Sequence, residues 1–558
     1  MVLSSVLKLS GPYFLRFAID LGLAEGSFAN VNLFGALFVG AALLSFVSLR
    51  SSTLLTGVAG EKVLQDLRVA TFDHLTGLSL GFFERQRSGR LISRITSDVE
   101  AVERLVTDSL VRIVTEVLFL VGAAVVLLTM DIRLALAAMG VMPVMILLTI
   151  WFRRRSERVF LEVRERIASV LSFIQETLRG MQVVQAFATE RARTQRFQAV
   201  NDDWADANVT AHKIEALFFP SMQFLGSVGT AIVLIYGGGR ILAGDLSPGV
   251  LAAFVVYLTL FFEPMNHLSE LYSQLQQALA GLAKMAHLLE VEPEITDVVG
   301  SVDLPDVEGL ITFEDVHFSY SPSGPMVLQD INMRIEPGQT AALVGPTGAG
   351  KSTIVKLLAR FYDPTQGSLR IDGFEVGKVT VKSLRRQLAL VPQEGFLFGG
   401  TIADNLRFGK PDATDEQVEE ICRRIDIHDF IATLPEGYQT EVRERGARLA
   451  AGEKQLIALA RALLADPRLV ILDEATSSLD SATEYRVERA FSSALQGRTS
   501  VVIAHRLSTV MNADVIFVVD GGRIVEQGDH FELVTRGGRY SALYLSWLAV
   551  TDGDTAAI

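Results

Sequence analysis

Hydrophobic and polar positions divide the chain into two regimes. From residue 1 to about 275 long apolar runs are nearly free of charge, whereas from about 309 onward short apolar stretches alternate with polar segments and Gly-rich turns. Roughly 20 apolar residues are needed to cross about 30 Å of hydrocarbon. Leu33 to Leu55, Ile113 to Met130, Leu134 to Phe152, Leu217 to Tyr236 and Val250 to Phe262 approach or meet that length. The polar break at Met130-Asp131 predicts a hairpin between the second and third of these runs. Val2 to Leu23 is a weaker sixth span, interrupted by Lys8, Arg16 and Asp20 and expected to bend at Gly11-Pro12. Thr56 to Arg112 and Arg153 to Ala216 contain no proline and repeat apolar residues at helical spacing, which predicts continuous helical excursions into water.

Charge orients these elements. Arg85, Arg87, Arg90, Arg94 and the run Arg153-Arg154-Arg155 lie in the excursions, whereas the loops Glu25 to Asn32 and Gly237 to Ser247 hold only Arg240. The positive-inside rule makes the excursions cytoplasmic, and an even number of crossings returns the second half to the same side. The first apolar stretch lacks the basic start and small-residue exit of a cleavable signal. Only half a helix precedes Gly11-Pro12, so either the first helix is tilted and polar or initiation lies upstream.

A chain of 558 residues is long for one domain. With 49% hydrophobic and 21% charged residues, and a mean hydropathy of +0.33, disorder is excluded. The net charge of −13 argues against a broad nucleic-acid footprint. A single cysteine, Cys422, excludes an intramolecular disulfide framework and a cysteine-held metal cluster.

The apolar stretch Ala341-Ala342-Leu343-Val344 runs into Gly345-Pro346-Thr347-Gly348-Ala349-Gly350-Lys351-Ser352-Thr353, followed by the helical pattern Ile354 to Arg360. Glycines at this spacing let successive backbone N–H groups and a helix N-terminus face phosphate. Lys351 is then expected to reach the β- and γ-phosphates and Ser352 to ligate Mg²⁺. Leu469-Val470-Ile471-Leu472-Asp473-Glu474 reads as a buried strand ending in two carboxylates. Asp473 would hold the Mg²⁺ shell through water and Glu474 would polarise the attacking water.

With both motifs in place, the whole chain resembles the ABC transporter family, in the exporter form that joins membrane and nucleotide domains in one polypeptide. The resemblance implies a multidomain fold: an all-α six-helix transmembrane domain, then an α/β P-loop ATPase domain with a helical subdomain. The expected boundaries are 1–292 for the membrane domain, 293–308 for a linker containing Pro293 and Pro305, 309–545 for the cassette and 546–558 for a solvated tail. The resemblance further implies that Tyr320, in Phe318-Ser319-Tyr320, stacks on adenine. Gln393, in Val391-Pro392-Gln393-Glu394, would sense Mg²⁺ and the water. His505, in Val501-Val502-Ile503-Ala504-His505-Arg506, would contact the γ-phosphate, and Ser477-Ser478-Leu479-Asp480 is similar to the loop that crosses to the opposite subunit. The excursion tips, near Phe82 to Arg90 and Met181 to Phe187, would dock on nucleotide domains.

The family signature Leu-Ser-Gly-Gly-Gln reads here Leu449-Ala450-Ala451-Gly452-Glu453. Ala450 lacks the hydroxyl that the family pattern turns toward the γ-phosphate held by the partner. The departure fits one half of a heterodimer with one hydrolytic and one ATP-holding site, and a homodimer that tolerates the change is the alternative. ATP and Mg²⁺ are the expected cofactors. A second half-transporter, membrane lipids and a small amphipathic substrate are the expected partners, in the bacterial inner membrane. ATP-driven export of drug- or lipid-like compounds is the leading function; an ATP-gated channel or regulator, or an importer on the same fold, is the competing reading. Arg16, Asp20, Glu116, Glu263 and His267 are the ionisable residues in or near spans, Glu263 being the first candidate for contact with a polar or cationic substrate.

Overall fold

The computed structural model describes the chain apart from Met1, Arg87, Val106, Asp108, Ser109, Glu394, Glu444, Arg445, Ala447, Arg448, 474–480, His505 and 556–558, and gives backbone alone at 263–273, 481–482 and 549–555. It divides into one unit of Met1–Thr76 with Gly89–Val291 and a second of Gly77–Ser88 with Glu292–Ile558.

The first unit is helical. α1 (Val2–Phe17) continues through a π-helical turn, Ala18–Leu23, and α2 spans Phe28–Gly77. Gly11 and Pro12 both lie buried within α1, which runs unbroken through them, and the missing Cβ of Gly11 admits the Phe38 ring. α3 (Leu80–Arg85) belongs to the second unit; α4 (Ser88–Ser93), a π turn Arg94–Asp98 and α5 (Val99–Arg104) lead back to α6 (Leu110–Met130). There follow α7 (Ile132–Met139), α8 (Met142–Arg179), α9 (Met181–Ala186), α10 (Glu190–Leu242) and α11 (Pro248–Leu289). Phe28–Gly77, Leu110–Met130, Ile132–Arg179 and Glu190–Leu242 are long and apolar enough to cross a membrane, and Pro248–Phe262 is a shorter apolar stretch.

Local chemistry sets the turns. Asp131 is extended; its carboxylate accepts from the Leu134 N–H at 2.9 Å, starting α7, and from Arg240 Nη1 at 2.5 Å. Ser247 caps α11, with Pro248 in its first turn. Phe152 of α8 stacks on Phe218 of α10 at 4.0 Å within a core that also buries Leu134 and Tyr257.

The excursions are not helical throughout, contrary to the continuous helix their pattern predicts. The first breaks where Ser79 and Gln86 are extended, and the second turns at Gly180 and again at Ala188, whose φ is +50°. At the first tip the Ser79 hydroxyl accepts from the Ile295 N–H at 2.8 Å, and a Cβ on Gly81 would meet Glu294 and Tyr362. Contacts within the second unit, to which residues 77–88 belong, replace helix continuity there.

The second unit holds an antiparallel sheet of order β2-β1-β4-β5, from β1 (Ile311–Phe318), β2 (Leu328–Ile335), β4 (Gln366–Ile371) and β5 (Phe374–Glu375). Its second sheet has the order β10-β9-β3-β8-β7-β6, from β3 (Thr340–Val344), β6 (Leu388–Val391), β7 (Leu469–Asp473), β8 (Thr499–Ile503), β9 (Val515–Asp520) and β10 (Arg523–Gly528). Pairing is parallel except between β9 and β10. Alternation along β3 sends Ala341 and Leu343 into the core shared with the antiparallel sheet, and Ala342 and Val344 into the core under the helices. α12 (Lys351–Leu358) and α13 (Val381–Gln387) pack in the first of these cores, and α14 (Ile402–Arg407), α15 (Asp415–Arg424), α16 (His428–Thr433), α17 (Ala451–Leu464), α18 (Ser481–Leu495), α19 (Leu507–Met511), α20 (His530–Arg536) and α21 (Arg539–Thr555) in the second.

Two expected boundaries change. The segment 293–308 is fastened into the second unit: fully buried Arg360 donates to the carbonyls of Val379 (2.5 Å), Gly377 (2.9 Å) and Thr296 (3.4 Å), and Ser383 Oγ accepts from the Leu304 N–H at 2.8 Å. A buried guanidinium needs such acceptors, and the backbone of the segment supplies one. The proposed tail start at 546 falls inside α21, which runs to Thr555.

Candidate nucleotide-binding site

The strand register brings the predicted motifs to one edge. Leu343 of β3, Ile503 of β8 and Asp473 of β7 form one row across the sheet, and Val391 of β6 pairs with Leu472. The loop after β3, Asp473 and the segment containing Gln393 therefore leave the sheet at the carboxyl ends of parallel strands, where open α/β sheets bind ligands.

The loop itself is built by glycine. Gly345 has φ +146°, and a Cβ there would fall inside the van der Waals shell of the Val519 carbonyl oxygen; Gly350 has φ +109° and caps α12. Pro346, Thr347, Gly348 and Ser352 are exposed, whereas Ala349, Lys351 and Thr353 are buried. Lys351 Nζ donates to the carbonyls of Gly345 (2.7 Å) and Pro346 (2.9 Å), holding the cation within the curl of the loop. Burial lowers its pKa, opposed by the charge of Asp473.

Tyr320 leaves β1 beside this loop. Its hydroxyl lies 3.0 Å from Thr353 Oγ1, its ring meets Tyr362 edge-on at 5.1 Å, and Lys356 Nζ lies 5.5 Å over its face. Lys356 and Tyr362 carry no motif and the sequence reading passes over them. Both are held by Glu84 of α3, whose carboxylate accepts from Lys356 Nζ at 2.8 Å and from the Tyr362 hydroxyl at 2.7 Å. Burial pushes Glu84 up, but these hydrogen bonds and the charges of Lys356 and Arg85 outweigh it and hold the carboxyl below its ordinary range. Lys356 is likewise pushed down by burial yet raised overall by the Glu84 bond, and burial with the same carboxylate raises Tyr362.

Gln393 is exposed, and its carbonyl accepts from Gln455 Nε2 of α17 at 3.2 Å. This bond joins the loop after β6 to the helix that opens at the signature. Leu449 packs on the core, Ala450 is the extended N-cap residue, Ala451 is exposed and Gly452 is buried. Glu453 completes one half of a capping box by accepting from the Ala450 N–H at 2.8 Å; Ala450 has no oxygen for the other half. Glu474, Ser477, Ser478, Leu479, Asp480 and His505 lie outside the described residues. The side chains of Glu263 and His267 lie outside them too.

Comparison with known proteins identifies the family. Residues 1–265 match the ABC transporter transmembrane region, and residues 328–477 match the ABC transporter ATPase family model. The Bacillus subtilis ABC transporter ATP-binding protein YknV is 38% identical over 87% of this chain and 80% of its own length. The ATP-dependent lipid A-core flippase of Syntrophus aciditrophicus is 36% identical over 88% of this chain and 81% of its own. The structure of a bacterial Atm1-family ABC exporter with ATP bound superposes with a TM-score of 0.80 at 30% identity, covering 98% of this chain and 96% of that one. The chain therefore belongs to the ABC transporter family, as an exporter-fold half-transporter that crosses the membrane several times and joins its transmembrane region to a cytoplasmic ATPase domain.

Proposed function

We propose that the chain is one half of an ATP-driven exporter that moves hydrophobic or amphipathic compounds across a bacterial inner membrane by alternating access. The observation that carries this reading is the seat of α3. The turn that interrupts the first helical excursion is bonded through Glu84 to Lys356 of α12, the helix that begins at the phosphate loop. Closure around nucleotide thereby has a mechanical route to α2 and α4. The flippase relative, whose cargo is a lipid, supports the amphipathic substrate class.

Gly345 to Thr353 would enclose the phosphates, with Lys351 exchanging its loop carbonyls for phosphate oxygens. Tyr320, exposed beside the loop and steadied by Thr353 and Tyr362, would stack on adenine. The donors suit Mg²⁺: an exposed Ser352 hydroxyl, an exposed Gln393 amide and the Asp473 carboxylate at the sheet edge are the hard oxygen ligands that ion takes. When bound, Mg²⁺ would neutralise charge developing on the phosphate oxygens. Glu474 would orient and polarise the attacking water, and His505 would contact the γ-phosphate.

Half-transporters of this family dimerise, and each signature completes the partner's site. Ala450 removes one donor from what this chain offers, so we assign it to a heterodimer whose other half carries the intact signature.

Glu474→Gln tests the catalytic assignment. The variant is expected to keep ATP binding and to lose turnover at this chain's own site, measured in lipid nanodiscs by nucleotide binding and phosphate release. Near-normal hydrolysis at that site would sink the assignment.

A further inference from the structure

The membrane unit holds a cation that the motif reading does not use. Leu9 of α1 packs on Gly122 of α6, which lies six residues from Glu116 and nine from Asp131, the charged residues that bracket the apolar part of that helix. At about 1.5 Å per residue this contact lies roughly 9 Å from Glu116 and 14 Å from Asp131, within the apolar span. Lys8 is the next residue on α1. It is exposed, and its ammonium lies 4.6 Å from the centroid of the Phe119 ring.

Several observations make this position polar at its surroundings' expense. Pro12 has no N–H to give to the Lys8 carbonyl, so the helix leaves that oxygen unpaired by its usual donor. One residue on, the Leu9 carbonyl is taken by the Tyr257 hydroxyl of α11. Arg16, the other charged residue of α1, has a carboxylate beside it: it lies 3.7 Å from Asp20 of the π turn, which also accepts from Ser247 Oγ at 2.7 Å. Lys8 forms no ion pair among the described residues. Glu116 stands one turn from Phe119 on α6 outside ion-pair distance of it, and Pro248–Phe262 of α11 contains no charged residue.

A lysine within an apolar span that has no ion pair among the described residues costs several kcal/mol if it faces lipid. Lysine escapes that cost by reaching along its helix to the interface, but here the side chain turns sideways onto an aromatic face. An ammonium held over a ring, with an apolar helix surface around it, complements a negative headgroup carrying a hydrocarbon tail.

We propose that Lys8 and Phe119 form the contact point for the acidic headgroup of an amphiphile in transit, a carboxylate or phosphate ester with an alkyl chain. This rests on the export reading above and narrows its substrate class to anions.

The test uses the full-length transporter in phosphatidylcholine nanodiscs, with ATP hydrolysis followed as dodecyl phosphate, neutral dodecyl maltoside or dodecyltrimethylammonium is added. Dodecyl phosphate is expected to stimulate hydrolysis in the wild type. Lys8→Met should raise the concentration for half-maximal stimulation by about ten-fold or more, Lys8→Arg should restore it, and Lys8→Glu should shift preference to dodecyltrimethylammonium. Basal hydrolysis and gel-filtration profile serve as folding controls. Replacing part of the phosphatidylcholine with phosphatidylglycerol separates the two sources of such an anion: Lys8-dependent stimulation by that lipid alone identifies a membrane lipid, and stimulation only by added dodecyl phosphate identifies a free amphiphile. Anion stimulation unchanged in Lys8→Met overturns the proposal, as does loss of the dimer in that variant, which would make Lys8 an intersubunit ion-pair partner. Stimulation by the neutral or cationic detergent with none by dodecyl phosphate overturns it while leaving amphiphile export standing. Failure of all three amphiphiles overturns both.

Discussion

Two glycines of the phosphate loop face different constraints. At Gly345 a methyl group would collide with the Val519 carbonyl, which belongs to β9 and cannot swing aside, whereas around Gly348 the space is open and only φ of +82° resists a side chain. Gly348→Ala is therefore expected to fold with a cost of about 1–2 kcal/mol, while Gly345→Ala should displace β3 from β9 and expose the ATPase domain to protease. Limited proteolysis of the nucleotide-free proteins separates the two. Cys422 offers an independent probe of the same domain. It is fully buried on α15 and burial pushes its thiol up to about 11. Maleimide should leave it unmodified at pH 7.5 in the folded chain and label it once denaturant opens that core, so rapid labelling of the native protein would contradict the packing.

Among the elements, α3 is the one whose removal from the nucleotide domain can be tested by charge. Glu84 holds both Lys356 and Tyr362, two of the groups against which Tyr320 rests. Because its pKa is held below the ordinary carboxylate value of 4.5, the tie is fully present above that value and is lost only as pH falls through the still lower folded one. Hydrogen exchange of residues 79–86 should thus be indifferent to this group between pH 6 and 8. Glu84→Gln should loosen the segment at neutral pH, and Glu84→Ala should lower the response of hydrolysis to transported substrate more than basal hydrolysis itself. Part of this element was readable beforehand, since the length of the excursions follows from helical spacing and the family resemblance implies a docking tip near Phe82 to Arg90. Its partners were not, because Lys356 and Tyr362 lie hundreds of positions away and look like an ordinary surface lysine and core tyrosine. The phosphate loop, by contrast, is legible because its chemistry is local: nine consecutive residues supply both the conformation and the ligands. The segment 293–308 misleads for the converse reason. Its prolines and acidic residues read as a tether, and only the burial of Arg360, more than 50 positions further on, reveals that its backbone is part of the ATPase fold.

For the whole molecule the decisive asymmetry lies between what the chain keeps and what it gives. Its own loop is complete in sequence and shaped for phosphate, while the helix it presents to a partner begins at Ala450, where Glu453 preserves the cap geometry without the missing hydroxyl. Loss of cap stability alone would loosen α17; the retained Glu453 bond argues that the helix start is intact and that the defect is confined to the donor set. A dimer of identical chains would carry that defect in both sites, and a mixed dimer in only one. Steady-state hydrolysis by the purified chain alone is therefore expected to be slow, and Ala450→Ser should raise it by about ten-fold or more, within the range that one transition-state donor supplies. Adding a half-transporter with an intact signature should raise it without any substitution in this chain, and that gain should vanish with Glu474→Gln here. Fast, Glu474-dependent turnover by the unaltered homodimer, unmoved by Ala450→Ser, would instead mean that the amide donors at the start of α17 suffice and that the heterodimer assignment is wrong.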